Sequence, residues 1–209
     1  MTKFLMILAL FLAPAISPAF AQQGDTDAAK QFVTDLADEA ITILRNAENR
    51  AAREEGFHNL LTERANLRRI ARFTLGQFVR QVEKDEFEAF QTLLTEMIVK
   101  VYANRLAEYS DEKVIVDGVQ NKKRNFIVAS HIEFANGREP IEMSWWLVKE
   151  KSGGFSLFDV NVLGVWMAQE QRDSYASVLK KNRGDMNKLL SHMRKQLNAD
   201  ADADMASAN

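Results

Sequence analysis

The spacing of apolar residues changes partway along the chain, and that change divides it. Phe32, Leu36, Ala40, Ile43 and Ala47 recur at helical intervals, which predicts an amphipathic helix over 27–49. Gly56 is expected to interrupt. Phe57, Leu60 and Leu61 then begin a second helical stretch, continued by Leu67, Ile70, Ala71 and Leu75. Gly76 suits the left-handed position that ends a helix. Asp85 is the expected N-cap of a long helix over 85–107, with Phe87, Phe90, Leu94, Met97, Ile98, Val101 and Tyr102 as a wide apolar stripe.

After Ser110 the period falls to two. Strands are predicted over 114–119, 124–134, 141–149 and 155–166, with turns at Asn136-Gly137 and Gly153-Gly154. Turns this short make neighbouring strands antiparallel. Two further helices, over 168–181 and 185–197, close the body. Helices, then strands, then helices predict an α+β fold: an antiparallel sheet of about four strands with helices packed on it. Strict alternation puts Phe126, Val128 and Ile132 on one face, opposite Ile127 and Ala129. It sets Trp145 against Trp146, and Phe158, Val160 and Val162 against Leu157 and Leu163. A sheet covered on one side alternates apolar with polar more cleanly. Either helices cover both faces, or the domain carries more apolar surface than its own packing uses.

The two ends are simpler. Lys3, the apolar run from Phe4 to Leu12, and Ala19-Phe20-Ala21 have the layout of a secretory signal peptide over 1–21, cut after Ala21. Pro14 and Pro18 break the apolar stretch, which is short for a membrane anchor. Residues 22–198 are then one domain, long enough for a sizeable core. Residues 199–209 alternate Ala with Asp200, Asp202 and Asp204 and read as a disordered acidic tail. The chain has no cysteine, so disulfides and thiol chemistry are excluded. Its formal charge of −2 argues against a nucleic-acid partner.

Catalytic signatures are missing. His58, His131 and His192 are far apart and lack metal-ligand spacing. There is no nucleophile elbow, phosphate loop or dinucleotide fingerprint. Asp159, between Phe158 and Val160, is the one carboxylate set in an apolar strand. It could serve as a general base, as in cone-shaped α+β isomerases. The plainer reading is a carboxylate bonded to backbone or to an arginine. Arg64, Arg68 and Arg72, spaced by four, are expected on one helix face. Lys122, Lys123 and Arg124 crowd one loop, and Lys180, Lys181 and Arg183 another. These read as solvated surface or as docking sites for anionic groups.

An ordered set of segments resembles the MlaC, or toluene-tolerance, family. It starts with Ala71-Arg72-Phe73-Thr74-Leu75-Gly76, then Phe78 and Arg80, then Tyr102-Ala103-Asn104-Arg105-Leu106 with Tyr109-Ser110. Asp159-Val160 and Gly164-Val165 follow, then Gln171-Arg172 and Tyr175-Ala176. The resemblance runs from about Phe32 to Leu197. In this chain Val79 stands where the family usually has an aromatic residue. Leu163 and Trp166 stand where its motif more often has glutamate and serine.

The resemblance implies a periplasmic phospholipid carrier rather than an enzyme, acting as a monomer with no cofactor and no metal, phospholipid being its cargo. It implies docking to two partners, an outer-membrane lipoprotein–porin complex and an inner-membrane ABC lipid transporter, in a system that maintains outer-membrane lipid asymmetry. A two-chain lipid with roughly 30 methylenes at about 0.8 kcal/mol each faces a barrier on the order of 24 kcal/mol to enter water unaided. A carrier must therefore offer comparable apolar surface. The sheet and its facing helices are expected to enclose a hydrophobic pocket lined by Phe73, Phe78, Phe90, Leu94, Ile98, Tyr102, Met143, Trp145, Leu147, Val160, Val162 and Trp166. Two other readings remain open at this point: an isomerase-like enzyme using Asp159, and a periplasmic chaperone or adaptor that binds apolar polypeptide.

Overall fold

The computed structural model describes residues 18–105 and 112–207. Residues 1–17 of the leader predicted over 1–21, Tyr109-Ser110 and the last two residues lie outside them. Helix α1 (Pro18–Asn46) begins before the expected cut after Ala21. Helices α2 (Arg50–Arg64), α3 (Leu67–Leu75) and α4 (Lys84–Arg105) follow, with a 3-10 turn (Gly76–Arg80) between the last two. Strands β1 (Lys113–Lys122), β2 (Asn125–Glu133), β3 (Ile141–Lys149), β4 (Phe155–Val162) and β5 (Val165–Trp166) form one antiparallel meander in chain order. Helices α5 (Met167–Lys181) and α6 (Met186–Ser207) complete the α+β fold.

The helix breaks fall where asparagines cap rather than where glycine sits. Asn49 accepts from the Ala52 N–H at 3.0 Å and starts α2; Asn66 accepts from the Arg69 N–H at 3.0 Å and starts α3. Gly56 does not interrupt. It lies inside α2, where a Cβ would stand 2.7 Å from Ile43 Cγ2, so its missing side chain lets α1 and α2 touch. Asp85 is not the N-cap of α4 but sits in its first turn with Glu86, whose carboxylate accepts from the Glu83 N–H at 3.2 Å. Gly76 ends α3 at φ 56°, as expected. The last helix continues to Ser207, past its expected end at Leu197, because the tail's alanines are strong helix formers.

The sheet has five strands, since the expected fourth turns back at Leu163-Gly164. Strict alternation also fails in β4. Trp146 pairs with Asp159 and Leu147 with Leu157, which leaves Phe158 as an extra residue in a β-bulge. The bulge resets the parity, so Leu157, Val160 and Val162 share a face instead of opposing one another. Through the pairing, that inner face carries Phe126, Val128 and Ser130 of β2, and Met143, Trp145 and Leu147 of β3. A second bulge, at Asp117, keeps Val116 and Val119 on the same inner face of β1.

One core cluster joins the inner face to the helices. Phe126, Val128 and Leu147 are fully buried among Val33 and Leu36 of α1, Phe90 and Leu94 of α4, Tyr175 and Leu179 of α5, and Leu189 and Met193 of α6. Phe126 meets Phe155 edge-on at 4.9 Å between ring centres. A smaller cluster of Leu44, Phe57, Val99 and Ala103 binds α1, α2 and α4 to each other. The corner between α2 and α3 is tied to β4 by the Asn66 N–H, which donates to the Leu157 carbonyl at 3.3 Å.

Replacing Phe126 with alanine leaves a cavity at the centre of this cluster. The expected loss is about 3–5 kcal/mol of unfolding free energy, read from urea titration of both proteins. A loss below about 1 kcal/mol would contradict the packing described.

Candidate functional site

The strand pairing sets the predicted residues in order. Met143 lies beside Val162, and Trp145 beside Val160, on the inner face; Leu147 follows in the next row. Phe90, Leu94, Ile98 and Tyr102 recur every four residues of α4 and form one stripe. Phe90, Leu94 and Leu147 are fully buried, whereas Ile98, Tyr102, Met143, Trp145, Val160 and Val162 are half-buried. On β3 and β4 the inner face therefore grades along the strands, sealed near the β3–β4 turn and half-buried at Met143 and Val162, while Val128 and Ser130 beside them on β2 stay fully buried. Trp145 sits at the change, its indole N–H donating to Ser130 Oγ at 2.8 Å.

Three predicted residues lie elsewhere. Trp166 pairs with Asn161 and lies on the reverse face, its ring 5.8 Å from that of Trp146. Phe73 joins the same group, 5.1 Å from Phe158, which is itself 4.9 Å from Trp146. The Arg172 guanidinium covers Phe73 at 4.9 Å. Phe78, in the 3-10 turn, approaches Gly184 in the turn between α5 and α6. Counting alternate residues could not separate these faces, because the Phe158 bulge shifts the parity before Val160 and the Leu163-Gly164 turn reverses the chain before Trp166. Val116, Val119, Phe126 and Val128 share the inner face and were missing from the predicted set, although their strands are evident in the period-two pattern.

Phe90, Leu94 and Leu147 belong to the buried core cluster, with Ile98, Trp145 and Val160 packed against it. A surface cavity of about 480 Å³ lies between the α2–α3 corner and the β3–β4 turn, bordered by Thr62, Glu63, Asn66, Gln91, Glu150 and Ser156. Another, of about 220 Å³, is bordered by Glu54, His58, Glu96 and Lys100. None of the twelve predicted residues lines either one. Glu150 Oε1 accepts from Ser156 Oγ at 2.6 Å, Arg69 Nη1 at 3.3 Å and Asn66 Nδ2 at 3.4 Å. The Ser156 bond, with help from Asn66 and Arg69, holds that carboxyl below its ordinary pKa.

Asp159 is turned away from the inner face and its carboxylate caps α5. Its Oδ1 accepts from the Ala168 N–H at 2.7 Å and from the Val160 N–H at 2.8 Å. The side chain is buried, and burial pushes its pKa above the ordinary 3.8 against the opposing pull of the amides. This is the backbone-bonded arrangement. Tyr175, also buried, touches Met97 Sδ through its hydroxyl at 3.7 Å, and burial raises its pKa. Among the described residues no group of three or more His, Asp or Glu could hold a metal ion.

The basic residues are dispersed. Arg64 ends α2 and pairs with Glu39, while Arg68 on α3 lies over the Phe87 ring at 5.1 Å, so the expected shared helix face does not form. Among the described residues no helix is long and apolar enough to cross a membrane.

Comparison with known proteins adds three findings. The family model for MlaC protein matches residues 34–195. The intermembrane phospholipid transport system binding protein MlaC of Haemophilus influenzae is 28% identical over 126 residues, which span 59% of this chain and 59% of that protein. The match thus spans less than two thirds of that relative. A phospholipid-binding protein from Ralstonia solanacearum, solved in complex with a phospholipid, superposes with a TM-score of 0.74 at 22% identity, over 83% of this chain and 98% of that one. At that identity the likeness establishes the fold.

Asp159 gives a test by substitution. Asp159→Ala removes the cap and is expected to cost about 1–2 kcal/mol, while Asp159→Asn keeps an acceptor oxygen and costs less. With a raised folded pKa, the folded protein binds the Asp159 proton more tightly than the unfolded chain. That contribution is complete below the unfolded value near 3.8 and is lost as pH rises through the raised folded value. Wild-type stability relative to Asp159→Asn should therefore fall across that window in denaturant titrations. A gap independent of pH would contradict the assignment.

Proposed function

This chain belongs to the MlaC family, and on that premise we propose that it binds phospholipid and carries it through the periplasm. Its docking partners are an outer-membrane lipoprotein–porin complex and an inner-membrane ABC lipid transporter, and the cycle maintains outer-membrane lipid asymmetry. No bond is made or broken in this role, and phospholipid is cargo rather than cofactor. The observation that carries the reading is the half-open end of the inner face. There Met143, Trp145, Val160 and Val162 form a continuous apolar surface whose side chains stay half-buried, only partly consumed by the protein's own packing. The H. influenzae and R. solanacearum relatives, whose names specify phospholipid, support it.

Energetics favour a site that closes on itself when empty. An apolar void of roughly 800 Å³, within the usual range of ligand pockets, would cost on the order of 20 kcal/mol at about 24 cal/mol per Å³. That exceeds the 5–15 kcal/mol or so that typically holds a whole domain together. Side chains lining the site must therefore meet each other without acyl chains and part around them. As the helix stripe and the sheet separate, entering chains pack against both in place of the opposite wall, so opening and loading are one step. The lipid head group stays in water and needs no buried counter-charge.

Val162→Glu places a charge on this surface at a half-buried position, with a modest expected stability cost of about 1–2 kcal/mol. Phospholipid retained per protein, extracted after purification without detergent, should fall severalfold. Ala129→Glu, at an exposed position of the reverse face, should retain it fully. A folded Val162→Glu protein carrying a full complement of lipid would refute the placement.

A further inference from the structure

The hairpin between β4 and β5 combines two features that water and backbone sterics both disfavour. Val162 pairs with Val165, so Leu163 and Gly164 alone make the turn. Leu163 has φ 50° and Gly164 has φ 88°, the left-handed pair of a two-residue turn that favours Asn-Gly. A leucine there is strained, because its Cβ crowds the backbone. It is also 69% exposed, more than either of the other exposed large apolar residues, Val165 at 45% and Ile115 at 39%. The turn is held in place: the Leu163 N–H donates to the Glu142 carbonyl at 3.2 Å, and the Gly164 N–H to Asn161 Oδ1 at 3.0 Å.

The surroundings indicate what this tip meets. From Val160 to Gln169 no residue is charged, in a chain of which 27% is. Paired residues share a face, so Met143, Val162 and Val165 form one apolar row running from the candidate lipid surface out to the edge strand. Directly behind the tip, on the other face, lies the half-buried indole of Trp166 against Trp146. An apolar point backed by a tryptophan suits the boundary between lipid head groups and hydrocarbon, where indoles concentrate.

From this juxtaposition we infer that the Leu163–Val165 hairpin is a shallow membrane-insertion tip, which enters the hydrocarbon of a phospholipid bilayer while lipid passes along the apolar row. The inference rests on the carrier reading above and adds the surface it loads from. Two small aliphatic side chains give a weak and reversible hold, which lets the protein leave once loaded. The apolar row supplies a path along which one side of an acyl chain rests on apolar side chains.

Leu163→Asn tests this without endangering the fold, since asparagine tolerates the left-handed conformation. The assay follows uptake of fluorescent phospholipid from protein-free vesicles of phosphatidylethanolamine and phosphatidylglycerol by the mature wild type and the variant. Thermal midpoint and lipid bound at completion are measured alongside. The expected result is an uptake rate about tenfold lower in Leu163→Asn, reflecting one leucine fewer in the bilayer. Final stoichiometry should be unchanged and the midpoint no lower. Equal rates overturn the inference. So does a wild type that carries phospholipid when purified yet takes none from bare vesicles, which makes the donor a protein. A wild type that never holds phospholipid takes down the carrier reading, and this inference with it.

Discussion

The β-bulge at Phe158 is the constraint on which both faces of the sheet depend. Two residues, Phe158 and Asp159, stand opposite Trp146 where a regular strand would place one. The extra residue lets Leu157 face the core while Val160 and Val162 continue the same apolar surface. It also turns Asp159 to the reverse side, where the α5 amides reach it at 2.7 Å. In an unbulged strand, a residue two places after Leu157 would share its face. The carboxylate would then stand among the core side chains, a position costly for a charge without a partner. Phe158 itself fills the reverse side, bridging Trp146 and Phe73, and so fastens β4 to α3.

The second theme is the gradient along the β3 and β4 part of the inner face. Fully buried residues at one end, Phe126 and Leu147, supply cohesion by packing against four helices. Half-buried ones at the other end, Met143 and Val162, contribute less to stability and remain available. The proposed carrier role, which requires opening for cargo, needs both. A uniformly packed interface would resist opening, and a uniformly loose one would not fold to a single state. The candidate site and the core are thus two ends of one surface, divided near Trp145. The exposed hairpin at Leu163 extends the loose end to the rim of the sheet.

Much of the architecture is legible in the pattern of residues. The change of period near Ser110 separates helices from strands, and β3 falls where alternation places it, at Ile141–Lys149. The MlaC resemblance, carried by scattered residues such as Phe73, Asp159 and Tyr175, agrees with the family match over 34–195. What stayed hidden depends on three-dimensional neighbours. Gly56 looks like a helix break, but Ile43 on the preceding helix explains it. Arg64, Arg68 and Arg72 look like one face until Ala65 and Asn66 break the helix between them. Within the predicted site, Met143, Trp145, Leu147, Val160 and Val162 do come together. Phe158, with Phe73 against it, falls on the reverse face because a bulge leaves no mark in hydrophobic alternation, and Trp166 because the chain turns back at Leu163-Gly164.

The claim at the centre of this account is that the inner face holds phospholipid. Native mass spectrometry of the mature protein, purified without detergent from a Gram-negative periplasm and paired with lipid extraction, tests it most directly. The account predicts a discrete added mass matching phospholipid at fixed stoichiometry, lost when the protein is denatured. A mass equal to the bare polypeptide, with no phospholipid acquired on incubation with vesicles or with membranes containing the proposed partners, would contradict it.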